Sequence, residues 1–506
     1  MRRLARWILL WAVALPMAAE VNNDAEARTA HYMESIRQKP PLLRAFLQEV
    51  PKGGDLHNHL AGAIYAESLI DYAAGNGMCV DRTTAFVIAP PCDASCERFT
   101  SKPAARCAYG DQLLYNSLID AWSMRNWRPE QESGHDRFFA TFDKFLPAML
   151  NHTGEAMAEA VERAAEDHLQ YVELMHTADG NAAAQLGAKV GWDDDFARLR
   201  QKLTDAGMAE VVAGTRRQLD RDESRMRAVL KCGEKDAAAG CGVTLRYLYQ
   251  VLRGLPREQV FAQILLGFEL AKADARFVGL NLVMPEGWYT PMHDFDLHMK
   301  MVNYLHGESP AVHIALHAGE LAMGLVPPEG LRFHIRESVE VGHAERIGHG
   351  VSVMHERDAT GLLREMAKKN VLVEICLTSN DVILGVQGKD HPFAAYRQYG
   401  VPLALATDDA GVSRIDMTNE YLRAVEDYGL SYEDLKEMAR QSLEHSFLPG
   451  TSLWAGTKPF RAVGPCQGDL KSRKCQDFIN GNEKGRVQWK LEAEFAEFER
   501  RAGARE

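Results

Sequence analysis

Eight short apolar runs, each separated from the next by a longer helix-like segment, constrain this chain more than any other feature. They are residues 54–60 (GDLHNHL), 170–176 (QYVELMH), 243–252 (VTLRYLYQVL), 276–284 (RFVGLNLVM), 311–319 (AVHIALHAG), 346–351 (RIGHGV), 371–377 (VLVEICL) and 402–409 (PLALATDD). Eight strands alternating with helices suggest a closed parallel barrel rather than an open sheet. The expected class is therefore α/β, a (β/α)8 barrel of the TIM type with cysteine-rich insertions and extra terminal helices. The barrel is assigned to residues 51–450, a helical lead-in to 20–50 and a C-terminal extension to 451–506. In that extension Val487, Leu491, Phe495 and Phe498 fall on one helical face, suited to docking on the body. Two insertions stand out: residues 78–107, placed between the first strand and the next helix, and residues 216–242. Extra loops at one barrel mouth are where substrate access is shaped.

The first twenty residues, MRRLARWILLWAVALPMAAE, read as a signal peptide spanning residues 1–19. Arg2, Arg3 and Arg6 precede an apolar stretch, and small residues follow it. The stretch is too short for a membrane span, which needs about 20 residues. Removing it takes away three arginines and no acids, moving the net charge from −12 to −15. That balance argues against nucleic acid, and against membrane once the leader is cleaved. Nine cysteines fit export to the periplasm or beyond. Cys232/Cys241 and Cys466/Cys475 read as local bridges. Cys79, Cys92, Cys96 and Cys107 form a third cluster with three possible pairings. Cys376 reads as a buried thiol on a strand.

Polar residues gather where the apolar runs end. His57 and His59 alternate with Asn58, so on a strand both side chains face one side. HAGE carries His317 and Glu320, IGHG carries His349 between two glycines, and ATDDAG carries Asp408 and Asp409. The C-terminal strand ends of a barrel are where catalytic groups collect. Three histidines and a carboxylate suit zinc with one position left for water. Glu320, His349 and Asp409 remain as acid–base groups around the nucleophile.

In this order and on these strands, HxH, HAGE, GHG and TDD resemble the adenosine deaminases of the metal-dependent amidohydrolase superfamily. The resemblance covers roughly residues 50–450 and includes SFLPG at 446–450. VPKGG, the cysteine-rich insertion and NSLIDAWSMRNWRP at 116–129 look more like the secreted branch, the adenosine deaminase-related growth factors. The resemblance implies one Zn²⁺ per chain held by His57, His59, His317 and Asp408. It implies that His349 orients the hydroxide, that Glu320 gives a proton to purine N1, and that Asp409 accepts a hydrogen bond from the base or aligns the hydroxide. It sets His59, the Met284 backbone N–H and Asp409 against the substrate. The implied reaction converts adenosine, and deoxyadenosine with it, to inosine and ammonia without an organic cofactor. The implied partner is a small purine nucleoside; the oligomeric state, a homodimer included, is left open.

Two departures bear on substrate choice. Where the family has Leu-Asp-Gly after HxH, this chain has Ala61, which removes a ribose contact. Where a small glycine commonly ends the fourth strand, LVMPEGW puts Met284 and Pro285, and Glu286 or Trp288 become alternative contacts. Adenine or a modified adenine nucleoside are the alternative substrates. A cyclic amide hydrolase on the same barrel is a further alternative; it often uses a lysine-bridged metal pair, and GLNLVMPE contains no lysine.

Overall fold

The computed structural model describes residues 17–504. Each of the eight apolar runs forms a strand: β1 Gly53–His59, β2 Leu169–His176, β3 Thr244–Leu252, β4 Phe277–Val283, β5 His313–Ala318, β6 Arg346–His349, β7 Leu372–Ile375 and β8 Leu403–Leu405. Successive strands pair in parallel from β1 to β8. A single bridge, Asn58 to Asp408, joins the ends of the sheet, where the Asp408 N–H donates to the His57 carbonyl at 2.9 Å. Strand β4 is buried at every position, as near-continuous apolar runs are when side chains fill the barrel on one face and helices cover the other.

Four helices matter below: α1 Met17–Ile36, α2 Gly134–Phe145, α3 Leu377–Leu384 and α4 Glu483–Ala502. The expected leader lies outside the described residues except for Met17–Ala19, which begin α1. No helix among the described residues is long and apolar enough to cross a membrane. On α4, Val487, Leu491, Phe495 and Phe498 are all buried. The Phe498 ring lies 5.3 Å from Phe46 and 6.1 Å from Tyr432, so α4 ties the lead-in to the barrel.

The insertions sit differently from the sequence expectation. A helix, Ala66–Gly75, intervenes between β1 and the cysteine-rich segment. That segment is closed by Cys79–Cys92 and Cys96–Cys107. Much of the second insertion is helix, Met208–Val229. Its Cys232–Cys241 loop feeds the amino end of β3, the mouth opposite the polar strand ends, so it does not shape access to them. It instead rests on Glu162, which accepts from Gly240 N–H, and on Lys490 of α4, which donates to the Gly242 carbonyl. Cys466–Cys475 closes the C-terminal extension and Cys376 is free and buried.

Deleting the Phe498 ring tests the docking. Phe498→Ala is expected to cost about 3–5 kcal/mol, read as a lower thermal midpoint. An unchanged midpoint would mean that α4 contributes little to the fold.

Candidate active site

The polar strand ends converge at the carboxyl mouth of the barrel. His57 and His59 lie two residues apart on β1, so the pleat turns both rings inward. Nε2 of His59 lies 3.2 Å from Nε2 of His317 and 3.3 Å from Asp408 Oδ1. Nε2 of His57 lies 3.5 Å from the same oxygen. Nε2 of His349 lies 3.7 Å from Glu320 Oε1 and 4.0 Å from Asp408 Oδ2. His57, His59, His317, Glu320, His349, Asp408 and Asp409 thus gather in one cluster, buried except for a partly exposed His59, while Met284 and the exposed Trp288 line the cavity beside it. Among the described residues, donor atoms of His57, His317, His349 and Asp408, and of His59, Asp408 and Asp409, come together closely enough to share a cation.

Two glycines make the convergence possible. A Cβ on Gly62 would stand 1.6 Å from Asp409 Oδ1, so the residue closing HLAG leaves the space that Asp409 occupies. A Cβ on Gly348 would stand 2.6 Å from His57 Cε1. Conversely, Met284, His349 and Asp408 all have φ between 58° and 86°, a left-handed backbone unfavourable to side chains with a Cβ. Met284 therefore holds, under strain, the conformation for which a glycine is suited.

The side chains behind the histidines orient the rings, and sequence reasoning missed them. His57 Nδ1 donates to Glu374 Oε2 at 2.7 Å. His59 Nδ1 donates to Gln250 Oε1 at 3.0 Å. His317 Nδ1 donates to Asn281 Oδ1 at 2.9 Å, an oxygen that also accepts the His317 backbone N–H. With Nδ1 engaged in this way, each of the three rings presents an Nε2 lone pair to the cluster, the arrangement of metal-ligating histidines. Nε2 of His57 is buried with no hydrogen-bond partner in the protein. A cation there would satisfy it, so the donor set fits one. Glu374 and Asn281 were visible as polar residues inside the apolar runs VLVEICL and GLNLVM.

Electrostatics separate the groups. Burial lowers the pKa of His59 and His317, and that of His349 to about 3, keeping these rings neutral. Burial also opposes a charge on His57, but Asp408 and Glu374 on either side hold its pKa up to about 10. The same carboxylates give the cluster the negative charge a dication needs. Glu320 is raised well above the carboxylate range by burial and by the neighbouring charges of Asp408 and Glu286. Asp409 is raised by burial and by Asp408. Three carboxyls this close do not all ionise; Asp408 keeps the charge.

Glu286 does not face the substrate space. It is buried behind HAGE and accepts from Gly319 N–H at 3.1 Å, from Glu320 N–H at 2.7 Å and from the His334 ring. Burial opposes its charge, yet His334 and Arg253 hold its pKa at about 2. It fixes the turn that carries Glu320. The cluster opens into a cavity of about 530 Å³ whose walls include Ala61, Met284, Trp288, the α2 residues Phe139 and Phe142, and Leu146 just beyond the end of α2. The cysteine-rich segment contributes no wall residue; α2 does.

An adenosine deaminase family model matches residues 123–453 of the chain. The adenosine deaminase of Salmonella typhi is 26% identical over 397 residues, covering 78% of this chain and 93% of that enzyme. The adenosine deaminase of Vibrio atlanticus is 36% identical over 135 residues, covering 26% and 37%. Among solved structures, the ADAL–IMP complex superposes with a TM-score of 0.52 at 19% identity, covering 90% of this chain and 99% of that one. A zinc-bound amidohydrolase from Burkholderia ambifaria gives 0.52 at 16%, covering 89% and 95%. An adenine deaminase from Arthrobacter aurescens gives 0.50 at 18%, covering 79% and 94%. At these identities the structural likeness shows the fold, the amidohydrolase barrel.

Glu374→Gln tests the support behind His57. It keeps the shape but removes the charge, and is expected to weaken zinc binding about 10- to 100-fold, measured by competition with a chromophoric chelator. Unaltered affinity would contradict the role given to Glu374.

Proposed function

The chain belongs to the adenosine deaminase family, and on that premise we propose that it hydrolyses the 6-amino group of a purine nucleoside, adenosine and deoxyadenosine, to give inosine-type products and ammonia. The observation carrying this reading is the meeting of the Nε2 atoms of His57, His59 and His317 and the Asp408 carboxylate with Glu320 at the floor of one cavity. His57, His59, His317 and Asp408 would hold one zinc ion. Zinc in such a site lowers the pKa of a water ligand to near neutrality, supplying hydroxide.

The protein's own groups do the rest. Glu320 gives its proton to purine N1, which draws electrons from C6 as hydroxide adds there. His349, whose Nε2 faces both Glu320 and Asp408, orients the attacking oxygen. Asp409 hydrogen-bonds the base or aligns that oxygen. A proton moves to the exocyclic nitrogen, the C6–N bond breaks, and ammonia leaves; water is consumed and nothing is oxidised. The backbone N–H of Met284, a residue of the cavity wall, would meet the purine edge.

A second substrate class is supported by one observation. Ala61 lines the cavity and its methyl offers no hydrogen bond to a ribose hydroxyl, which favours adenine or a modified adenine nucleoside. The four disulfides support work outside the reducing cytosol, in keeping with an exported protein of the growth-factor-like branch.

Ammonia release from a panel of adenine, adenosine, deoxyadenosine and N6-substituted adenosines tests the reading; no turnover of any 6-aminopurine would overturn it. Glu320→Gln is expected to lower kcat and kcat/KM together by at least about 10²-fold with zinc content retained. Full activity would remove Glu320 as the proton donor. Ala61→Asp is expected to lower KM for adenosine by the worth of a hydrogen bond to a charged group, about 1.5–3 kcal/mol. Unchanged adenosine kinetics with good turnover of adenine would show that no sugar is recognised there.

A further inference from the structure

We propose that Asn380 and His391 are positioning residues that lock His349 in the tautomer with its hydrogen on Nε2, which keeps His349 out of the metal's ligand set and makes it a donor to the attacking water. The inference rests on the role given to His349 above, but the lock itself is a property of the folded chain.

One group in this chain of bonds can only donate. The backbone N–H of Phe393 lies 3.1 Å from His391 Nδ1, so that nitrogen carries a lone pair and the ring hydrogen is on Nε2. His391 Nε2–H then donates to Asn380 Oδ1 at 3.0 Å. That bond fixes which end of the amide is oxygen, and turns the Asn380 NH2 group toward His349 Nδ1, also at 3.0 Å. An amide nitrogen donates and does not accept, so His349 Nδ1 is the lone pair and its hydrogen is on Nε2. His391 is 3% exposed, and Asn380 and His349 are fully buried. No water competes for these bonds, and each hydrogen has one place to go.

The consequence is a sorting of four like side chains within one cavity. Behind His57, His59 and His317 stand the acceptors Glu374, Gln250 and Asn281, so Nε2 of each offers a lone pair to a cation. Behind His349 stands a donor, so its Nε2 offers a hydrogen and, as a neutral ring, no electron pair. Its Nε2 has no acceptor within hydrogen-bond distance in the protein and lies between Glu320 and Asp408, where an attacking water would sit. The amide in the middle of the chain cannot pass a proton on. The three residues therefore set an orientation and do not carry protons out of the site. Neither Asn380, from LTSN on α3, nor His391, from DHPF, has another partner in the proposed chemistry.

The test reads the tautomer directly. Full-length protein labelled with ¹⁵N-histidine is examined by two-bond nitrogen–hydrogen correlation spectra, metal-free and zinc-loaded, with His349 assigned by its loss in His349→Gln. We expect His349 to show a protonated Nε2 and bare Nδ1 in both forms, and His57, His59 and His317 to show the reverse in the zinc-loaded protein. Asn380→Asp puts an acceptor behind His349 and should move its hydrogen to Nδ1, with kcat falling about 10- to 100-fold at near-normal KM and zinc content. His391→Phe frees the Asn380 amide to flip and should give a mixture of His349 tautomers. If Asn380→Asp fails to fold, judged by circular dichroism, the wild-type and His391→Phe spectra decide. A bare Nε2 on wild-type His349, or a His349 tautomer unmoved by both variants, would overturn the proposal. Because the spectra need no substrate, they decide the lock whatever the ammonia-release panel shows for the deaminase reading.

Discussion

A buried carboxylate, Glu374, is held between one cation and one imidazole, and the site is built outward from it. On one side Arg346 Nε donates to Glu374 Oε1 at 2.7 Å; on the other His57 Nδ1 donates to Oε2 at 2.7 Å. Arg346 also pairs with Glu173 and donates to the His445 carbonyl at 2.9 Å. All three charged side chains are buried. Charges removed from water in this way are tolerable only when every one is paired, and losing one partner costs about 3–5 kcal/mol. The chain Glu173–Arg346–Glu374–His57 crosses the barrel interior and delivers an oriented ring to its carboxyl mouth. The direction of His57 is thus set by strands β2, β6 and β7 together, and depends on the barrel being closed.

Closure also carries strain to the mouth. The bridge between β8 and β1 falls at Asp408, whose φ is positive, and positive φ recurs at His349 and Met284. Each such residue costs on the order of 1–3 kcal/mol, and each ends or follows a barrel strand. Regular strand geometry would carry these side chains past the mouth; the left-handed turn points them back into it. Glu286 does the same for Glu320 by gripping two successive backbone N–H groups of HAGE.

The barrel was legible in the sequence because each strand is a nearly unbroken apolar run, and such runs occur where both faces of a parallel sheet are covered. The groups at the strand ends were legible because His57, His59, His317, His349 and Asp408 interrupt that pattern at its edges. Less visible were Glu374, Asn281, Gln250 and Asn380, whose work depends on cross-strand register, for which a single chain gives no spacing rule. Its length and composition mark the cysteine-rich segment as an extra loop that shapes access, yet α2 forms the wall. Phe139, Phe142 and Leu146 follow an ordinary amphipathic spacing, and the space they face is apolar like a core. Glu286 was misplaced for a related reason: a polar residue beside a strand end reads as exposed to the site, while here the turn at Met284 buries it behind.

In the proposed function one metal would be held by His57, His59, His317 and Asp408, with His349 beside it as a donor. Anomalous diffraction at the zinc edge from crystals of the zinc-loaded protein tests this most directly. The account predicts a single peak within bonding distance of three Nε2 atoms, those of His57, His59 and His317, and of Asp408. Two peaks in the mouth, or one peak bonded to His349 in place of His59, would contradict it.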